Sequence, residues 1–290
     1  MKTPKLAAAI FAAAFFILTG IPADAQKVSA DELVAKHLDS IGPKDKRDAV
    51  KNQLLLGDIQ FTFKGDPTII RGKALVLSES GKALFGMNFN SNDYSQDRIA
   101  YDGKKVAIGR PSPTALRSLL GDFIYNSETI LKDGLLGGAM SASWALKNPA
   151  SKKAEVSYDG TRTIDGAETL VLKYTPKSGS DLIVKIYLDS KTYRHVRTEY
   201  TRVRGASQGA SVDSSAGQSG SIYKLVEDFS DFRKMGDLTL PGTYKITYNR
   251  SGTAGTTLLA KTNRDAEWTF VVTDVGYNRE LEAGSFNIGN

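Results

Sequence analysis

The sequence predicts an α+β fold that is mainly β, a long antiparallel meander whose apolar face is covered by inserted helices, and three observations predict it. Apolar and polar residues alternate in run after run, glycine-bearing turn dipeptides stand between the runs, and one stretch with a helical apolar stripe interrupts them. Period-two alternation is the pattern of a sheet with one buried and one solvated face. Short turns between such runs favour antiparallel neighbours.

At the start, Lys2 and Lys5 precede an apolar run from Leu6 to Ile21, and Ala23-Asp24-Ala25 then places small residues either side of an aspartate. This is the pattern of a secretory signal peptide cleaved after Ala25. The run is shorter than the ~20 residues that span a bilayer. The expectation is an exported protein of about 265 residues, from Gln26 to Asn290, organised as a single domain. The chain has no cysteine, which excludes disulfides, thiolate chemistry and an acylated cysteine at the cleavage site. Its net charge of +6 becomes +5 when Lys2, Lys5 and Asp24 are removed. The charges are interspersed, as in Lys44-Asp45-Lys46-Arg47-Asp48, and form no basic stripe with aromatic platforms, so no nucleic acid is expected as a partner.

The first helix is expected over Ser29 to Ile41. Ser29 stands as N-cap with Glu32 three residues on, Gly42-Pro43 ends it, and Leu33, Val34, Leu38 and Ile41 form its stripe. Strands follow where Ile59, Phe61 and Phe63 alternate with polar residues, then Ala83, Phe85, Met87 and Phe89, and later Tyr244, Ile246 and Tyr248, and Trp268, Phe270 and Val272. Turns are expected at Asp102-Gly103, Asp159-Gly160, Asp165-Gly166 and Ser251-Gly252, because glycine takes positive φ without steric cost.

The helical interruption is expected to begin at Ser112 as cap with Pro113 at the first position. Leu116, Leu119, Leu120, Phe123 and Ile124 fall at i, i+3, i+4, i+7 and i+8, an amphipathic stripe. Ile130, Leu131, Leu135 and Leu136 extend it, and a small-residue run from Gly137 to Ser143 ends on Trp144. Two readings stand for this segment: a permanently packed core helix, or a movable lid with a glycine-rich hinge. Arg204 to Ser221 is low-complexity and is expected to be a loop between strands.

Catalytic signatures are absent. The two histidines, His37 and His195, lie in no metal-binding spacing and are expected at the surface. There is no G-x-S-x-G elbow, and Gly134 to Gly138 leads into no Lys-Ser/Thr. Asp228 and Asp231 are three apart in a strand, which puts them on opposite faces and argues against an acid–base pair. The expectation is a non-enzyme with no metal and no cofactor.

From Thr169 onwards the run TLVLKYTPKSGSDLIVKIYLDSKTYRHVRTEYTRV resembles exported bacterial proteins of the outer-membrane lipoprotein-sorting type, the superfamily of the periplasmic lipoprotein carrier and the outer-membrane lipoprotein receptor. The matching features are Leu170 to Tyr174, Asp181-Leu182, Tyr187-Leu188-Asp189, Tyr193, Val196-Arg197 and Glu199-Tyr200, a hairpin turning at Asp189 to Thr192. The resemblance implies a curved antiparallel half-barrel closed by helices, located in the periplasm, with an apolar cavity that receives a lipid or the acyl chain of a lipoprotein, and an inner- or outer-membrane partner protein. On that implication the expected cavity lining is Phe61, Phe63, Phe85, Met87, Phe89, Leu116, Leu119, Leu120, Phe123, Ile124, Trp144, Trp268 and Phe270. Plain core packing is the alternative role for each. The alternative function is an envelope sensor or protein-interaction module of the same fold without lipid cargo.

Overall fold

The computed structural model describes residues 28–92, 94–110, 112, 114–177, 181–204, 220–252 and 265–288. The expected signal peptide with its cleavage site, Pro113, and the low-complexity stretch 205–219 lie outside them.

The strands are β1 (Asn52–Phe63), β2 (Ile70–Glu79), β3 (Lys82–Phe89), β4 (Gln96–Tyr101), β5 (Val106–Ile108), β6 (Glu155–Ile164), β7 (Ala167–Thr175), β8 (Leu182–Asp189), β9 (His195–Arg204), β10 (Ser221–Met235), β11 (Leu238–Gly252) and β12 (Ala266–Tyr277). They form one 12-stranded sheet in the order β5-β4-β3-β2-β1-β12-β11-β10-β9-β8-β7-β6. Every neighbouring pair is antiparallel, and the sheet is curved and unclosed, an α+β, mainly β half-barrel. Two meanders, β1 to β5 and β6 to β12, are joined along the seam between β1 and β12.

The alternation in the sequence is the cause of this layer. Ile59 and Phe61 of β1 point to the same face as Trp268 and Phe270 of β12, paired as Phe61 with Trp268 and Ile59 with Phe270. Ala83, Phe85, Met87 and Phe89 of β3 continue that face, as do Tyr244, Ile246 and Tyr248 of β11. Full burial of each large side chain contributes roughly 1.5–3 kcal/mol. Asp165 and Gly166 both take positive φ, 49° and 80°, the two-residue turn that suits strand twist, and they join β6 to β7.

The helices are α1 (Ala30–Ile41), α2 (Lys44–Asp48), α3 (Leu119–Tyr125) and α4 (Thr129–Lys132), with short 3₁₀ turns at Gly138–Met140, Ala145–Lys147 and Pro149–Lys152. Ser29 caps α1 as expected, its Oγ accepting from Glu32 N at 3.1 Å. Residues 109–154 leave the sheet at edge strand β5 and return at the opposite edge, β6, so this cover crosses the apolar face like a strap.

Three expectations are corrected. Asp159-Gly160 is not a turn but lies inside β6, where the register with β7 shifts. Ser251-Gly252 is still strand, paired in β11 with Ile222 and Ser221. The cover helix does not begin at Ser112. Its cap is Ser118, whose Oγ accepts from Gly121 N and donates to Asp97, and the helical stretch breaks into α3 and α4 at Asn126. The local pairing of Ser118 with a buried carboxylate sets the start of the helix, which the stripe alone could not show.

Candidate ligand-binding interior

The candidate site is the layer between the apolar sheet face and the cover. Of the expected lining, Phe61, Phe85, Met87, Phe89, Leu120, Phe123, Ile124, Trp144, Trp268 and Phe270 are buried in one continuous core, and Phe63 and Leu119 pack against it partly exposed. Leu116 is a correction. It lies ahead of α3, 91% exposed, because the helix starts three residues later and its stripe therefore begins at Leu119. On the sheet's inner face, the gap among Ile59, Val76, Phe85, Met87, Trp268 and Phe270 has a volume of about 10 Å³. That is no more than the room one water needs.

Both histidines were expected at the surface, and both are buried, His37 at 0% and His195 at 1% exposure. The buried face of α1 runs Leu33, His37, Ile41, one residue every helical turn, so His37 belongs to the stripe. Its Nδ1 faces Tyr193 O at 3.1 Å and its Nε2 faces Trp144 Nε1 at 2.9 Å. Trp144 stacks on His195, ring centroids 4.9 Å apart, and the two imidazoles meet edge-on at 6.0 Å. Burial lowers the His37 pKa to about 4 and holds His195 well below its ordinary value. Both rings are therefore neutral at neutral pH.

Two buried carboxylates tie the cover to the sheet. Asp97 of β4 accepts from Ser118 at the head of α3 and from Tyr94, whose hydroxyl in turn accepts from Trp268 Nε1 at 2.9 Å. Glu227 of β10 accepts from Gly137 N at 2.7 Å, from Tyr200 at 2.6 Å and from Tyr244. Burial raises Asp97 to about 6 and Glu227 to about 7. These partners escape a search by motif, because each comes from a distant strand or from the cover. Further bonds fasten the cover's far end: Gln53 Nε2 donates to Met140 O at 2.7 Å, and Ala142 N to Ser78 Oγ at 2.8 Å. Gly138, with φ of 50°, lets the cover's backbone come down on His195; a Cβ there would stand 2.4 Å from the imidazole.

The expected Asp228–Asp231 separation holds. Asp228 is on the outer face in an ion pair with Arg197 at 2.6 Å, and Asp231 lies exposed at a positive-φ position. That outer face carries a polar groove of about 690 Å³ lined by Phe63, Arg197, Glu199, Lys224, Lys245 and Glu267 among others. Among the described residues there is no group of three His, Asp or Glu side chains able to hold a metal ion.

No family model and no curated protein matches the chain. Among solved structures it is similar to a LolA superfamily protein from Nitrosomonas europaea, at 13% identity over 90% of this chain and 98% of that one, with a TM-score of 0.48. It is also similar to an outer membrane lipoprotein-sorting domain from Vibrio parahaemolyticus, at 13% identity over 89% and 97% of the two chains and a TM-score of 0.43. A DUF1329 family protein from Desulfovibrio piger matches at 12% identity over 89% and 96%, with a TM-score of 0.41.

Proposed function

We propose that this chain is an exported, periplasmic carrier, not an enzyme, that holds a lipid or the acyl chain of a lipoprotein between the sheet and its helical cover, without metal or cofactor. The observation that carries the reading is the cover itself. It crosses an extended apolar face as a strap attached at both sheet edges, and discrete hydrogen bonds accepted by Asp97, Glu227 and Ser78 and donated by Gln53 fasten it there. Such a strap separates from the sheet without breaking any strand pairing. An acyl chain then replaces side-chain contacts with its own, at about 0.8 kcal/mol per buried CH₂. The lining of the opened layer is Phe61, Phe85, Met87, Phe89, Trp268 and Phe270 on the sheet, with Phe63 at its rim. Leu119, Leu120, Phe123, Ile124 and Trp144 line it on the cover.

The test exploits the absence of cysteine. Ser78→Cys with Ala142→Cys replaces the 2.8 Å hydrogen bond between cover and sheet, a separation that brings the two backbones within disulfide reach. The oxidised protein should exclude a fluorophore-tagged dodecyl chain, and reduction should restore uptake. Equal uptake in both states would remove the cover from the binding step.

A second reading, an envelope sensor or protein-interaction module without cargo, is favoured by the little room on the sheet's inner face, where the gap among Ile59, Phe85, Trp268 and Phe270 is about 10 Å³. Purification from the native envelope with one stoichiometric protein and no extractable lipid would select it.

A further inference from the structure

The polarity of the interior restricts which acyl-bearing molecules fit it. Among the described residues the buried polar side chains include two carboxylates, Asp97 and Glu227, and neither lysine nor arginine. The cations at the cover's far end are engaged by other partners. Lys147 donates to Ala142 O beside Arg47 and Asp48, and Arg47 donates to Gly42 O and to Asp39. An anionic head beside Asp97 or Glu227 would meet a carboxylate with no buried lysine or arginine among the described residues to offset it, and burying a charge without a partner is costly.

Glu227 is the group best placed to meet a head of the other kind. It sits on the inner face between Thr198 of β9 and Ile246 of β11, under the point where the cover touches down. A carboxylate accepts about four hydrogen bonds. Glu227 has three donors, two fixed in the sheet, Tyr200 and Tyr244, and one in the cover, Gly137 N. Lifting the cover takes away the Gly137 donor and leaves both tyrosines in place. The carboxylate then faces the opened apolar layer, oriented by two hydroxyls and short of a donor. Asp97 loses its cover donor too, the Ser118 hydroxyl, but it keeps one donor where Glu227 keeps two, Tyr94, and stands beside the aromatic cluster of Phe61, Phe89 and Trp268.

We propose that the interior takes acyl chains with a hydrogen-bond-donating head, an amide N–H or an ammonium, and that Glu227 receives that head in place of the Gly137 N–H. The inference rests on the carrier reading and names its ligand class. Exchange of one donor for another at the same carboxylate also makes release self-completing: the cover's own N–H is the competitor that ejects the head on closure.

The experiment compares three probes of equal chain length below their micelle-forming concentrations at pH 8: dodecylamine, N-methyldodecanamide and dodecanoate. Binding is read by calorimetry on the mature chain and on Glu227→Gln. The two donor-headed probes should bind roughly tenfold or more tighter than dodecanoate, the scale of one hydrogen bond to a buried charge. In Glu227→Gln the dodecylamine advantage should fall to about that of the amide. Dodecanoate binding as well as the amine, or an amine preference unchanged in the variant, would overturn the assignment while leaving the carrier intact. Binding of none of the three would overturn the carrier reading itself, and this one with it. If Glu227→Gln does not fold, the head-group ranking of the unmodified protein decides alone.

Discussion

Trp144 Nε1 donates to His37 Nε2 at 2.9 Å, and that one bond joins the far end of the cover to the N-terminal helix. Because Nε2 accepts, His37 carries its proton on Nδ1, which donates to Tyr193 O at 3.1 Å. Trp144→Phe should leave Nε2 buried without a donor and destabilise the protein by roughly 1–3 kcal/mol. Urea unfolding checks this, and a double-mutant cycle with His37→Leu should show the two losses to be less than additive.

The histidines make the protein acid-sensitive. The folded pKa of His37, about 4, lies below its ordinary 6.5, so between those values the unfolded chain binds more protons. Stability is present in full above pH 6.5 and is lost as pH falls through about 4, by roughly 3 kcal/mol for His37. His195 acts in the same direction. His37→Gln, which keeps an acceptor for Trp144 and does not titrate, should show a shallower fall in urea midpoint between pH 7 and pH 4.

Glu227 acts with the opposite sign. Its folded pKa of about 7 lies above its ordinary 4.5, so in that interval the folded state binds more protons. The stabilisation is complete below about pH 4.5 and is lost as pH rises through 7, again roughly 3 kcal/mol. The gap in stability between Glu227→Gln and the parent should therefore move in the variant's favour by that amount between pH 4.5 and pH 8.5. A gap independent of pH would mean that the carboxyl ionises in the fold at no cost.

Gly138→Ala places a Cβ 2.4 Å from the His195 ring at a backbone φ of 50°. Backbone strain of that kind costs on the order of 1–3 kcal/mol before the steric contact is counted. Thermal unfolding should show the loss, and the near-ultraviolet signal of Trp144 should change with it, since Trp144 stacks on His195.

Leu116, ahead of α3, and Leu120, within it, separate surface from core, at 91% and 0% exposure. Leu120→Ala should cost about 2–5 kcal/mol. Leu116→Ser should stay within about 0.5 kcal/mol of the parent in the same denaturation assay.

The local pattern was legible wherever one residue's surroundings follow from its neighbours in sequence. Ile59 and Phe61, Phe85 and Met87, and Trp268 and Phe270 point inward because alternation permits nothing else. Ser29 caps α1 for the same local reason. Long-range relations were not legible. Nothing near Phe61 announces Trp268 as its cross-strand partner more than 200 positions away. Nor does the stripe of Leu33, Val34, Leu38 and Ile41 show that α1 turns His37 inward to a tryptophan on the cover. The gap between stripe and structure at Leu116 has the same origin: Asp97, on another element, holds Ser118 and so sets where α3 begins.

The seam between β1 and β12 has a consequence for how this chain is made. The first strand finds one of its two partners only when the last strand exists, while each of the other neighbouring pairs joins strands consecutive in the chain. Hairpins of the two meanders can form as the chain grows, but closing this pair spans nearly the whole protein and must come late, as contacts of high sequence separation do. Until then β1 and β12 are both open edges, lined with unpaired backbone donors and acceptors that another copy can satisfy. A chain cut short before Ala266 keeps β1 in that condition permanently. Truncation at the C-terminus should therefore yield aggregates by strand pairing rather than a smaller soluble domain.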